Sequence, residues 1–389
     1  LMGAEPVWNS KGQVMDVRII PDSLLRRPRI DVLVTTSGTY RDHFMDKIQL
    51  LDKAVKLVTI IQSPSNWVRN HALEYQEALG LKTVDQGTQR IFSTSPNTYS
   101  TNIEFAIEDG ESWENDSTLS NLYIDRMANS YGQNANSEYQ KELFTENIMD
   151  VEAAAFGRSS NVHGIMDHPM VASYFGAINL AVKNKTGKNP DLYINDVSDP
   201  GEAKTVKLEE FYQKELRSRY LNPNWIKNMQ DQGYEGARYM QGFTENLLAW
   251  DITHTDMVTQ ADWDAVFDTY VNDKNKLGLN AYFEKHNPFA QKELIHTLQE
   301  ANSKGYWAPS EKQQEIIADR LDKLNNSDRV PSLNNISNTE VSGYEMVNET
   351  RKIITNTAPN QPQQDTILWV LLIIAALIIM GWFSDDKIR

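Results

Sequence analysis

Cysteine is absent from all 389 residues, which excludes disulfides, thiolate metal sites and cysteine nucleophiles and leaves His, carboxylate, Tyr or Met as metal ligands. No G-x-x-x-x-G-K-[ST] sequence occurs, so no nucleotide is held by a phosphate loop of that kind. Positive charge is in the minority. The chain has 38 Lys and Arg against 53 Asp and Glu, and the net charge of -15 disfavours nucleic acid or another polyanion as partner. Internal repeats and long low-complexity tracts are also missing.

Long apolar runs are missing with one exception. Residues 367–383 (ILWVLLIIAALIIMGWF) form an unbroken stretch with Trp369 and Trp382 near its ends, at the short limit of the roughly 17 to 25 residues that span a bilayer. The run is expected to be a transmembrane helix, fed by a polar linker at 351–366 and followed by a short tail at 384–389. Lys387 and Arg389 lie directly behind it. The positive-inside tendency puts that tail in the cytoplasm and the soluble mass across the membrane, as in an inner-membrane protein with a single C-terminal anchor and a periplasmic body. Its position at the end of the sequence rules out a signal peptide.

Residues 1–200 alternate strand and helix signals. Residues 29–36 (RIDVLVTT) are β-branched and apolar without strict alternation, as expected of a strand buried on both faces. Ser37-Gly38 follow, then a helix over 40–58 with Phe44, Ile48, Leu51 and Val55 on one stripe. Further strands are expected at 90–93, 153–156 and 191–197, and helices at 101–108 and 170–182. This alternation predicts an α/β fold with a mostly parallel sheet and flanking helices. A mainly helical region is expected over 201–350, with a loop at 325–335 and a late strand at 336–347. Ligands of open parallel sheets sit beyond the carboxyl ends of the strands, so the candidate site loops are 37–43, 93–100, 157–168 and the end of the fourth strand.

The stretch 214–250 (KELRSRYLNPNWIKNMQDQGYEGARYMQGFTENLLAW) predicts a helix-turn-helix hairpin. Asn222 can cap a helix whose first turn accommodates Pro223, and Gly233 ends it so that a second helix starts at Tyr234. On the second helix Glu235, Arg238 and Tyr239 share a face, while Tyr234, Ala237, Met240, Leu247 and Leu248 are available for burial. By spacing alone Glu235 and Arg238 are either a solvated pair one turn apart or part of a site.

The order of residues adds to this. Arg219-Tyr220-Leu221-Asn222-Pro223-Asn224-Trp225, then Gly233-Tyr234-Glu235-Gly236-Ala237-Arg238, resembles the LNPKW…GYEGxRE signature of class I chelatase large subunits. These are the cobaltochelatase subunit CobN and the large subunit of magnesium chelatase, which handle metals in tetrapyrroles. Arg27-Pro28-Arg29-Ile30-Asp31-Val32 with Ser37-Gly38-Thr39-Tyr40-Arg41-Asp42 looks like the family's RPRxDV…SGxxRDxF, and Asn287-Pro288 with Gly305-Tyr306-Trp307 looks like its NP…GYW. His43 and Pro96-Asn97 depart from the pattern. Around His163 the order N-x-H-x-x-x-D is more similar to the cobalt branch. The resemblance covers roughly residues 1–350 and implies the C-terminal portion of a larger subunit, completed by its own N-terminal remainder. It also implies that AAA+ subunits supply ATP hydrolysis where metal is inserted. The apolar run is foreign to the usual soluble large subunits and points to the membrane-anchored HmuS type, associated with removal of iron from haem.

Metal exchange in a porphyrin needs a group that trades protons with the pyrrole nitrogens, a group that holds the metal in passage, and a surface that grips a flat ligand. Imidazole suits the first two tasks and carboxylates offer oxygen ligands to iron or cobalt. The expected catalytic residues are therefore His163, Asp167, His43 and Glu235, and the expected metal ligands His163, His168 and Asp167. Arg41, Tyr99, Tyr174 and Arg238 are expected to bind the tetrapyrrole, with Arg90 as a further propionate partner. The structural alternatives are Asp167 as a helix N-cap beside Pro169, His43 as an exposed helical residue and the tyrosines as packing. His71, His254, His286 and His296 are expected to be ordinary polar or packing histidines. Three functions follow: removal of iron from haem with an external reductant, cobalt insertion into a corrin precursor with AAA+ partners, or a membrane-tethered tetrapyrrole carrier without chemistry.

Overall fold

Parallel strands need a crossover long enough to hold a helix, and that requirement shapes the sheets of this protein. Its computed structural model describes residues 1–110, 113, 115–133 and 137–326. The expected late strand at 336–347, the linker and the apolar run at 367–383 lie outside the described residues. Among the described residues no helix is long and apolar enough to cross a membrane.

β1 (Ala4–Trp8) and β2 (Val14–Ile19) form an antiparallel hairpin. β3 (Val34–Thr36) pairs in parallel with β4 (Ile91–Ser93), and β5 (Asn129–Ser130) and β6 (Glu138–Tyr139) extend that sheet antiparallel. β7 (Ala153–Arg158) runs parallel to β8 (Asp191–Asp196), with β9 (Lys204–Lys207) antiparallel at the edge. The mostly parallel sheet expected from the sequence is thus a mixed α/β arrangement of small sheets. Parallel pairing survives where helices fill the connection, between β3 and β4 and between β7 and β8. The short returns into β6 and β9 permit only antiparallel partners.

Local signals account for most helices. The expected 40–58 helix is divided into Gly38–His43, capped by the Ser37 side chain, and Met45–Thr59, because Phe44 leaves helical geometry at φ -125° and ψ 35°. Ile48 and Val55 remain buried, but Phe44 is exposed and lies 4.8 Å from the Tyr40 ring. The 214–250 hairpin forms as Pro223–Gln230 and Tyr234–Thr253. Asn222 accepts from the Asn224 N–H at 2.9 Å, and Gly233 sits at φ +59° between the two helices. Gly236 makes the tight turn possible, since a Cβ there would overlap the Met229 carbonyl. Two π-turns, Ala172–Gly176 and Leu216–Tyr220, interrupt the helical stretches on either side of β8 and β9. Such turns often occur at functional sites because the inserted residue shifts the helix face.

The main apolar cluster runs from Tyr75 to Leu324, so residues on both sides of position 200 share one core around Trp250, Trp263 and Trp307. Smaller clusters hold the helices near β3 and the β1–β2 hairpin.

Candidate functional site

Arg41 joins the first two candidate loops. It is fully buried, and its Nη1 donates to the Thr94 carbonyl at 2.7 Å, the Ser95 carbonyl at 3.0 Å and the Thr98 carbonyl at 3.3 Å. Nε and Nη2 both go to the Asp42 carboxylate. A guanidinium committed in this way fastens 37–43 to 93–100 instead of facing a propionate, which corrects the expectation for Arg41. Burial pushes the Asp42 carboxyl up, but Arg41, the Tyr99 hydroxyl and His43 outweigh it and hold the group below its ordinary value. His43 ends the same short helix, exposed, with Nδ1 2.9 Å from the Thr39 carbonyl.

Tyr174, on the first π-turn, brings in the third loop's helix. Its hydroxyl donates to the Tyr99 carbonyl at 2.8 Å, and burial raises its pKa. Glu104 and Arg126 lie within electrostatic reach of the same hydroxyl. Glu104 accepts from the Ser100 hydroxyl at 2.5 Å, and Arg126 donates to the Ser100 carbonyl at 3.0 Å. Neither residue was among the expected site groups. The signal for Glu104 was Thr101-x-x-Glu104, a capping-box spacing at the start of the Ile103–Asp109 helix. It reads as structural until the fold brings it within electrostatic reach of His168.

His168 is held by that neighbourhood. Burial lowers its pKa, Glu104 opposes the fall and His163 adds to it, so the two imidazoles and Glu104 are electrostatic neighbours. Its Nδ1 accepts from the Met170 N–H at 3.2 Å, which makes His168, not Asp167, the N-cap ahead of Pro169. A neutral imidazole whose Nδ1 accepts must carry its proton on Nε2. His168 therefore presents a donor, and its lone pair is not available to a metal.

Asp167 turns the other way. Oδ2 accepts from the Gly164 N–H and from Arg219 Nη1, each at 2.6 Å, and Oδ1 accepts from the Tyr220 hydroxyl at 2.6 Å. The expected set of His163, His168 and Asp167 is accordingly not assembled as metal ligands. Among the described residues no group of three or more His, Asp or Glu is arranged to hold a metal ion. His163 is exposed, and among the described residues its ring has no hydrogen-bond partner.

Glu235 and Arg238 pair with each other at 2.9 Å on an exposed first turn, and Arg238 also covers the Tyr239 ring. The same helix hydrogen-bonds to the 157–168 loop at Asn246 and Trp250, which donate to the Met166 and Ile165 carbonyls. Eleven residues separate Glu235 from Asn246, about 16 Å of helix, so the structure leaves Glu235 and Arg238 outside the cluster. Arg90 is likewise elsewhere, buried with its Nε on Asp31 at 2.9 Å and its guanidinium 4.9 Å from the Tyr75 ring centre. The fourth loop does join, through Arg158 on Asp196 and Ser198 on Asn161.

The result is an open rim. Hollows of about 200 and 570 Å³ exist among the described residues, but both lie elsewhere and take no lining residue from these loops. The rim can offer one free imidazole at His163, a donor at His168, a carboxylate at Glu104 and a buried phenol at Tyr174.

The family model described as CobN/Magnesium Chelatase matches residues 1–314. The chloroplastic magnesium-chelatase subunit ChlH of Oryza sativa subsp. indica is 30% identical over 341 residues, covering 85% of this chain and 24% of that protein. The aerobic cobaltochelatase subunit CobN of a Sinorhizobium species is 27% identical over 317 residues, covering 79% of this chain and 24% of that protein. A solved structure described as the catalytic subunit of cobaltochelatase from Mycobacterium tuberculosis superposes with a TM-score of 0.79 at 28% identity, covering 84% of this chain and 28% of that one. The chain spans about a quarter of the length of the curated relatives it matches. With the hairpin, the rim and these matches together, the chain belongs to the CobN/magnesium chelatase family.

Proposed function

We propose that this chain is the part of a membrane-anchored, CobN-like tetrapyrrole chelatase that presents His163 to the macrocycle, and that its favoured reaction is removal of iron from haem. The observation that carries the reading is the free, exposed His163 imidazole on a loop whose neighbours are all tied down. In that reaction ferrous iron leaves and two protons take its place on the pyrrole nitrogens. An external reductant delivers the electron that turns ferric iron to ferrous. His163 meets the departing metal or passes a proton, the two tasks to which an imidazole side chain is suited. His168 offers its Nε2–H as a donor, and Glu104 and Tyr174 form a polar wall behind it. The 367–383 run anchors the protein in the inner membrane with its body on the periplasmic side.

A second reading, cobalt insertion into a corrin precursor with AAA+ partners, is favoured by the relatives named as cobaltochelatase subunits. The test incubates the purified protein anaerobically with haem and a reductant while the Soret band and released iron are followed. Metal-free porphyrin is the expected product. Unchanged bound haem would reduce the protein to a carrier, and cobalt incorporation only with AAA+ partners and ATP would establish the second reading. Deleting 367–383 should move the protein from the membrane fraction to the supernatant.

A further inference from the structure

We propose that Arg219 and Tyr220 are positioning residues for the metal exchange, and that Asp167 is the joint through which they act, neither a ligand nor a carrier of protons. The proposal rests on the chelatase reading above for the chemistry it serves, but the contacts that carry it are independent of any ligand.

The loop carrying His163 is held by Arg219 and Glu215 from the helical half of the chain and by Arg158 at the end of β7. Arg219 Nη2 donates to the Asn161 carbonyl at 3.0 Å and Nη1 to the Val162 carbonyl at 3.3 Å, while Nη1 also meets the Asp167 carboxylate. Arg158 donates to the His163 carbonyl at 3.3 Å. The Glu215 carboxylate, pushed up by burial against the pull of Arg158 and Arg219, accepts from the Ile165 N–H at 2.8 Å. The backbone on both sides of His163 is therefore fixed, and its side chain alone is free.

Tyr220 fixes the latch to the core. Its ring lies parallel to Phe243 at 4.4 Å and 6°, its edge faces Trp225, and its carbonyl accepts from the Tyr270 hydroxyl. The second π-turn ends on Arg219 and Tyr220, so the irregular winding presents both groups to the loop at once. Gly164 shows how closely they meet: a Cβ there would collide with the Tyr220 hydroxyl and lie 2.7 Å from Glu215 Oε2. The Asp167 oxygens face donors from three directions and sit in a side chain that is 8% exposed, so a metal could reach them only by displacing Arg219 or Tyr220. Groups that lock a reactive side chain's backbone in this way set its geometry without touching the substrate. The arrangement also gives the Arg-Tyr that precedes Asn-Pro a purpose beyond forming a hairpin.

The experiment compares the purified protein with its R219K, Y220F, D167N, H163A and D167N/H163A variants. Amide hydrogen exchange over 161–168 reads the latch without ligand, quenching of tryptophan fluorescence by metal-free protoporphyrin reads binding, and the haem assay reads kcat and KM. Exchange at Gly164 should rise by up to about tenfold in D167N, which alters the carboxylate that accepts the Gly164 N–H, and in R219K, which removes the guanidinium that holds that carboxylate in place. Porphyrin binding should stay within about twofold, while kcat falls by about 10- to 100-fold at unchanged KM, as expected when a reacting group is misplaced. D167N and H163A should not be additive. Y220F keeps the stacked ring and removes one hydroxyl, so it tests the latch without threatening the fold. Unchanged amide exchange in D167N and R219K would overturn the latch, as would full kcat in a variant whose loop is open. Absence of metal exchange in the wild type would sink the chelatase reading and the role in chemistry with it, and the exchange data would still decide whether the latch exists.

Discussion

Tyr174 reaches across from the first π-turn to donate its hydroxyl to the Tyr99 carbonyl at 2.8 Å, and this bond fastens the helix beyond the 157–168 loop to the loop that leaves β4. Tyr174→Phe keeps the ring and removes the donor. The carbonyl it leaves is partly buried, so the expected cost is about 1 kcal/mol in urea unfolding. A looser 93–100 loop should also weaken quenching by metal-free porphyrin. Unchanged stability and unchanged quenching would mean the bond does nothing for either.

Gly236 stands in the hairpin signature for a packing reason. A methyl group there would overlap the Met229 carbonyl and sit 2.9 Å from the Tyr282 hydroxyl. Backbone cannot step aside as a flexible side chain can. Gly236→Ala should therefore cost about 1 to 3 kcal/mol despite the better helix propensity of alanine. Urea unfolding measures the loss, and a gain in stability would show that the two helices separate freely.

What could be read before folding was what the chain decides locally. Asn222, Pro223 and Gly233 act within a few residues of themselves, and each does in the structure what its position in the sequence predicts. Strand ends alone point to the loops 37–43, 93–100 and 157–168; Arg41 ties the first two together, and Tyr174 ties the helix that follows the third to 93–100. The partners of those residues could not be read in the same way. Arg41 looked like a ligand contact because nothing in its neighbours reveals a buried pocket of carbonyls contributed by residues 94–98. Asp167 and His168 exchanged roles for a similar reason: the cap depends on which side chain faces the Met170 N–H, and Asp167 is drawn off by Arg219 and Tyr220, more than fifty residues away. π-turns leave no periodic trace, so Tyr174 and Tyr220 gave no sign of being displaced from the regular helix face.

Asp251 is nearly sealed in the core, 5% exposed, with Oδ2 accepting from the Trp263 indole at 2.7 Å. Burial pushes its carboxyl up to about 6, with the Trp263 bond opposing and Asp262 and Asp256 assisting. A carboxyl raised in the folded state binds its proton more tightly there than in the unfolded chain. Its contribution to stability is therefore greatest below the unfolded value of 3.8, declines as pH rises through about 6, and is flat beyond. Asp251→Asn keeps an acceptor for the indole and removes the charge. The variant should gain on the order of 1 to 2 kcal/mol at pH 7.5 and nothing at pH 4. Urea unfolding at the two pH values checks the sign, and a variant weakened equally at both would show that the charge itself is not the cost.

His71 gives the opposite slope and a sharper comparison. Its Nδ1 lies 3.0 Å from Asp31 Oδ2, and that bond raises its pKa against the effect of burial, helped by the charges of Asp150 and Glu74. A histidine raised in the folded state contributes fully below its unfolded 6.5, and the contribution is lost as pH climbs through the folded value. His71→Gln should remove that decline, so wild type and variant converge in stability on the alkaline side. Asp31 has a second dependent. Arg90, with a side chain 1% exposed, donates Nε to both Asp31 oxygens at 3.0 and 2.9 Å. Asp31→Asn leaves that guanidinium buried without its counter-charge, at a cost of about 3 to 5 kcal/mol near neutral pH, well beyond the loss at His71. The order of the two losses decides what the cluster is for. If Asp31→Asn costs no more than His71→Gln, Arg90 has another anion to turn to, and the group beneath Tyr75 is a histidine site with an arginine nearby instead of a buried ion pair with a histidine at its edge.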